Sequence, residues 1–154
     1  MKEFKVTIPE EKYEGIDFVQ DGLPGVAVVN VNLKGFEPKE VFGWHCSVMI
    51  HLQDMVTSGT PSEAEEEALD EFIDWLDRNV KGLNKKKPNA LFLSKITWNQ
   101  TIEMIWRVFE PEIVDELLRK ILSTKQYVRK FDYRIDPDNE WKLAHWHLSD
   151  HKES

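Results

Sequence analysis

The sequence contains a single cysteine, Cys46, and no apolar run long enough to cross a bilayer. A lone thiol cannot close an internal disulfide, and no stretch near the N-terminus has the length of a signal-peptide core, so a cytoplasmic setting is expected. Positive charge is also scarce. Lys and Arg number 20 against 28 Asp and Glu, a net charge of −8, so the mean field repels a phosphate backbone and suits a basic protein partner better than nucleic acid. Lys85, Lys86 and Lys87 are too few to reverse this and read as a solvated loop. Asn99-Gln100-Thr101 matches the glycosylation pattern, which has no consequence without secretion. Absent too are a glycine-rich phosphate loop, a dinucleotide fingerprint, a nucleophile elbow and a paired-cysteine zinc motif, so the familiar enzyme classes lose weight. Nothing calls for a cofactor.

What is present is core-forming. Six Trp and eight Phe in 154 residues supply the apolar area for one domain. Phe4, Val6 and Ile8 alternate as a short edge strand, followed by a loop with Gly15, Gly22, Pro24 and Gly25. Val26 to Leu33 reads as a strand, linked as a hairpin through Lys34-Gly35-Phe36-Glu37-Pro38 to a second strand, Val41 to Leu52, with Phe42, Trp44, Cys46, Val48, Ile50 and Leu52 on one face. Thr60-Pro61-Ser62-Glu63 opens a helix capped by Thr60, with Leu69, Phe72, Ile73, Leu76 and Val80 as its buried stripe and Gly82 as its stop. Its other face carries Glu63, Glu65, Glu66, Glu67, Asp70, Glu71, Asp74 and Asp77, a surface for solvent or for a basic partner. Ala90 to Trp98 and Thr101 to Phe109 form a hairpin about Asn99-Gln100. Glu110-Pro111-Glu112 opens a second helix burying Ile113, Val114, Leu117, Leu118, Ile121 and Leu122, and Val128 to Ile135 forms the last strand of the pattern. The conformation of Trp141 to Leu148 is left open between strand and helix.

From Phe42 onward the order is strand, helix, strand, strand, helix, strand. The expected class is α+β, with a ferredoxin-like split βαβ core in which an antiparallel sheet carries two helices on one face, plus an extra N-terminal hairpin strand. The chain is expected to be one domain over 1–154, with the core at about 41–135, the strand and hairpin at 1–40 and a C-terminal extension at 136–154.

Such a sheet leaves its other face for solvent, a partner or a second subunit. That phase presents His45, Ser47, Met49 and His51, then Glu103, Ile105 and Arg107, then Lys130, Asp132 and Arg134. His45, His51, Glu103, Arg107 and Arg134 are the candidate binding residues. The two arginines suit an anion and the histidines suit proton transfer, against the plainer reading of a solvated polar face. No catalytic residue is assigned. His145 and His147 would share a strand face near His151, but no thiolate or carboxylate completes a metal site. Asp136, Asp138 and Glu140 have the spacing of a calcium loop, which fails because Trp141 stands where glycine is needed; the segment reads as a turn. Cys46 lies on the apolar phase and reads as a small buried hydrophobe.

Gly22-Leu23-Pro24 leading into Val28 to Leu33, Thr60-Pro61-Ser62-Glu63 with Glu66, Leu69 and Ile73, the hairpin from Thr97 to Trp106, and Asp136-Pro137-Asp138-Asn139-Glu140-Trp141 together resemble a mainly bacterial family, domain of unknown function 695, over roughly residues 10 to 148. The resemblance implies a ferredoxin-like architecture similar to that of the bacterial regulator of ribonuclease activity B, and with it an inhibitory or adaptor role. It supplies no catalytic residues. The leading expectation is therefore a non-catalytic protein-binding or regulatory module for a basic partner, with a homodimer through the sheet as a further expectation. The alternatives are an anion binder or enzyme on the open face, or an acidic immunity-type protein.

Overall fold

The computed structural model describes residues 6–56 and 59–149. The first regular elements are β1 (Tyr13–Gln20) and β2 (Leu23–Asn30), joined at Asp21-Gly22. Both turn residues have positive φ, 52° and 76°, as a two-residue link between right-twisted strands requires. The strand expected over Phe4, Val6 and Ile8 is not seen: Val6 and Ile8 lie in irregular chain, and Phe4 is outside the described residues.

The hairpin expected through Lys34 to Pro38 does not form. Val31–Leu33 and Lys39–Phe42 are 3-10 turns, and β3 (Trp44–His51) is paired on both sides by strands from later in the chain, leaving β2 no edge to join. α1 (Glu63–Lys81) is capped by Ser62, not Thr60; the Glu65 amide donates to Ser62 Oγ at 3.2 Å. It ends at Gly82, whose φ of 87° is readily adopted only without a Cβ. β4 (Ala90–Trp98) and β5 (Thr101–Val108) turn at Asn99-Gln100, both at positive φ despite the missing glycine. Tertiary bonds hold that turn: the Gln100 amide donates to Gly59 O at 2.7 Å and the Leu52 amide to Gln100 O at 2.9 Å. α2 (Pro111–Ser123) starts on its proline, β6 (Phe131–Pro137) follows, and a 3-10 turn leads into the short α3 (His145–Leu148).

The fold is α+β. One six-stranded sheet has the order β1-β2-β4-β5-β3-β6 with every neighbouring pair antiparallel. β5 separates β3 from β4, and β3 separates β5 from β6, so each strand-helix-strand unit straddles a strand of the other. α1 and α2 cover one face, where Cys46, Val48 and Ile50 of β3 and Ile102, Met104 and Trp106 of β5 meet Leu69, Leu76, Val114 and Leu118. Each large aliphatic side chain buried there contributes about 1.5–3 kcal/mol. Burial pushes the Cys46 thiol up to about 12, so it behaves as an apolar group. Ile113 departs from the expected stripe and is 52% exposed, because Val114, Leu118 and Ile121 set the buried line and Ile113 lies about 100° around the helix from it. No helix among the described residues is long and apolar enough to cross a membrane.

The other face is not fully open, contrary to expectation. Leu33, Phe36 and Phe42 from the 3-10 turns, with Trp141 and Ala144 from the C-terminal segment, form a second core on Leu91, Leu93 and Ile105. Phe36 stacks on Trp141 at 5.4 Å between ring centroids, and Phe18 meets Trp146 edge-on at 5.6 Å. The terminal segment is thus a cap on the sheet.

Glu65, expected on the acidic helix face, is instead buried. Its Oε1 accepts from Arg129 Nη2 at 2.6 Å, and its Oε2 from Arg129 Nε at 3.1 Å and the Gln53 amide at 2.6 Å, which ties α1 to the chain entering β6. The Arg129 bonds hold the carboxyl below its ordinary range although burial opposes them. A depressed carboxyl contributes stability that is full above its unfolded-chain pKa, about 4.3, and is lost as pH falls through the folded value. Glu65→Gln is expected to cost about 3 kcal/mol at pH 7 and to flatten the loss of stability below about pH 4, measured by urea unfolding across pH.

Candidate functional site

Register brings the outer-face side chains of three strands into rows. Arg107, His45 and Asp136 form one row across β5, β3 and β6; Ile105, Ser47 and Arg134 form the next; Glu103, Met49 and Asp132 form the third. His51, opposite Thr101, ends the series. In the first row Arg107 and His45 are buried while Asp136 stays half-buried at the β6 edge, and Ile105 in the second row is buried beneath the C-terminal cap.

Arg107 is fully buried, a correction to its expected place on a ligand-facing surface. Its Nη1 donates to Asp138 Oδ2 at 3.0 Å and to His45 Nδ1 at 3.1 Å, its Nη2 to Asp138 O at 2.5 Å, and its Nε to Phe42 O at 3.3 Å. The guanidinium also lies 4.8 Å from the centroid of a Trp141 ring, a cation–π contact in a dry setting. Asp138 closes the turn as well: Oδ1 accepts from the Lys142 amide and Oδ2 from the Leu143 amide, each at 2.9 Å. Burial works against its charge, yet the Leu143 and Lys142 amides and Arg107 together hold the carboxyl below its ordinary range. The Asp-Pro-Asp-Asn-Glu-Trp segment is therefore a latch whose counterpart is Arg107. Trp141 Nε1 completes it by donating to Lys39 O at 2.9 Å and Phe42 O at 3.1 Å.

Beside the latch the face stays open as a groove of about 280 Å³ lined by His45, Ser47, Met49, Glu103, Asp132 and Arg134, with Asp136 and Leu143 at the latch end. Three of the five candidate residues, His45, Glu103 and Arg134, meet there. His51 lies outside the lining but touches it through Asp132, Nε2 to Oδ2 at 2.7 Å. Ser47 Oγ donates to Glu103 Oε2 at 2.5 Å, and Arg134 lies 3.3 Å from Asp136. The groove thus holds three carboxylates against one guanidinium.

His45 is fixed in one state. A guanidinium can only donate, so Nδ1 accepts from Arg107 and the ring proton sits on Nε2, which has no hydrogen-bond partner among the described residues. Burial and the adjacent Arg107 charge bring its pKa down to about 4, partly offset by Asp138 and Asp136. A ring with so low a pKa is a weak base, and at pH 7 it is not the imidazolium that a general acid requires.

No cluster suited to a metal ion occurs among the described residues. His145 and His147 sit on a helical turn rather than alternate strand positions, one exposed and one buried, and His151 is outside the described residues. The sequence marks Asp136 and Asp138 as turn residues, but β6 runs two residues past Ile135, so the alternation of Asp132 and Arg134 continues into Asp136. The signal for Asp138 was weaker, an acidic residue beside a tryptophan with no partner visible in sequence.

These features define an α+β domain with a latched cap and an acidic sheet-face groove. The chain belongs to the Family of unknown function (DUF695), whose model matches residues 19–148. Comparison with curated proteins and with solved structures finds no match.

Removing Asp138 leaves a buried cation without its counter-charge, so Asp138→Ala is expected to lower unfolding free energy by about 3–5 kcal/mol, whereas Arg107→Met, which removes the charge itself, costs less. Urea unfolding of the two variants and their double mutant checks this order. For His45 the folded pKa lies below the ordinary 6.5, so on acidification the unfolded chain takes the proton first. Its contribution is full above about pH 7, declines between pH 6.5 and 4, and levels off below. His45→Asn, which keeps an acceptor near Nδ1, is expected to remove that slope.

Proposed function

We propose that the protein is a cytoplasmic, non-catalytic docking domain of an adaptor or inhibitory kind, whose sheet-face groove receives cationic side chains of a basic partner. The observation that carries this reading is the excess of Glu103, Asp132 and Asp136 over Arg134 around one open groove, next to a histidine held neutral. A carboxylate or phosphate ligand would meet that excess as repulsion, which disfavours the anion-binding alternative. Proton transfer is disfavoured by His45, since a base with a pKa near 4 is poorly matched to neutral pH. The exposed acidic residues of α1, Glu63, Glu66, Glu67, Asp70, Glu71 and Asp74, lie on the far side of the sheet from the groove and add to the net negative charge, which would speed long-range encounter with a basic protein.

Asp132 is exposed and Asp136 half-buried at the β6 edge, so reversing both tests binding without entering the core. Capture from cell lysate on the wild-type protein is expected to retain a basic protein at low salt and release it at high salt, and Asp132→Lys/Asp136→Lys is expected to weaken that capture at least tenfold, about 1.4 kcal/mol. Retention unchanged by the double reversal would contradict the reading. Arg134→Glu discriminates further: it is expected to strengthen capture of a basic partner and would weaken that of an anionic one.

A further inference from the structure

A second, mainly apolar concavity lies away from the sheet-face groove, where α1 ends. It encloses about 410 Å³ beside Ile8, Pro9, Leu33, Pro88, Ala90 and Leu91, within the size range of small-molecule sites. Its charged residues divide into two groups. Lys81 bridges Glu11 and Asp77, Nζ to oxygen at 2.7 Å in both cases, and Asp77 also accepts from Trp106 Nε1 at 2.8 Å, so these groups pair with one another and leave one negative charge over. Arg78 and Lys85 also line the cavity, and the side chain of neither has a hydrogen-bond or ion-pair partner among the described residues. Arg78 and Lys85 outweigh that charge by one, so the surplus at this mouth is a single positive charge in a chain of net charge −8.

We infer that this cavity binds an amphipathic carboxylate, with its acyl chain against Ile8, Leu33, Pro88 and Leu91 and its head group between Arg78 and Lys85. The apolar wall supplies most of the affinity through area removed from water, and the two cations select the sign of the head group. A carboxylate fits better than a phosphate because the cavity sits at the C-terminal end of α1, where the helix dipole is negative and opposes a multiply charged anion. Among the lining residues only Arg78, Lys81 and Lys85 are cationic, and Lys81 is already neutralised by two carboxylates.

The test is an NMR titration of the full chain with octanoate, with octylammonium and octanol as matched-chain controls. Saturable amide shifts at Ile8, Leu83 and Leu91 are expected with octanoate, with affinity about tenfold lower for octylammonium. Arg78 and Lys85 are both exposed, so Arg78→Gln/Lys85→Gln is expected to fold normally and to bring octanoate down to the affinity of octanol. Ile8→Asp, at the lip of the cavity, is expected to weaken all three compounds. The inference is overturned by an absence of saturable shifts, by shifts confined to the sheet-face groove, by equal binding of octylammonium, or by octanoate binding that the double neutralisation leaves unchanged.

Discussion

A guanidinium buried in the middle of a β-sheet must be supplied with acceptors, because its desolvation costs several kcal/mol. Arg107 imposes that constraint here. The carbonyls of Phe42 and Asp138, the carboxylate of Asp138 and the ring nitrogen of His45 all converge on it, drawn from two distant parts of the chain. Bringing Asp138 to Arg107 sets where the chain leaves β6, and the amides of Lys142 and Leu143 on the same carboxylate turn it back across the sheet. Trp141 then covers the guanidinium and meets Phe36, so the segment between β2 and β3 is held by the same contact.

The character of the sheet-face groove is a consequence. Burial keeps the His45 ring neutral, and Arg107 adds to this by consuming its Nδ1 lone pair and raising the local positive potential. The cap hides Ile105 and leaves the half-buried Ser47, Met49 and Glu103 and the exposed Asp132 and Arg134 lining the groove. A side chain that looks like a binding group therefore acts by positioning, and the acidic residues beside it determine what the groove attracts. The carbon-walled cavity at the end of α1 has the opposite bias, since its carboxylates are already committed to Lys81.

The helices were legible because their apolar spacing records burial directly: Leu69, Leu76 and Val80 in α1, Val114, Leu118 and Ile121 in α2, with Gly82 and Pro111 marking ends. The hairpin at Asn99-Gln100 was legible from its flanking strands, although its left-handed residues depend on bonds to Gly59 and Leu52 that no local pattern reveals. Strand pairing was less so. Lys34 to Pro38 looks like a link between neighbouring strands, but it crosses to a second layer, because alternation assigns a face and does not name a neighbour. The same limit put Arg107 at the surface: phase says which side of the sheet a residue takes and is silent on what covers that side. Two apolar sets did hint at the cover, Leu91, Leu93 and Ile105 on the outer phase and Trp141 to Leu148 at the end of the chain, each needing something to bury against.

The central claim is that the Arg107–Asp138 pair holds the cap on an otherwise complete two-helix sheet. Amide hydrogen exchange on the wild type and on Asp138→Asn, at a pH where both remain folded, tests it most directly. The account predicts that residues 31–42 and 141–148 lose protection together in the variant while α1, α2 and the centres of β3 and β5 keep theirs. Uniform loss across the chain, or a cap whose protection does not change, would contradict it.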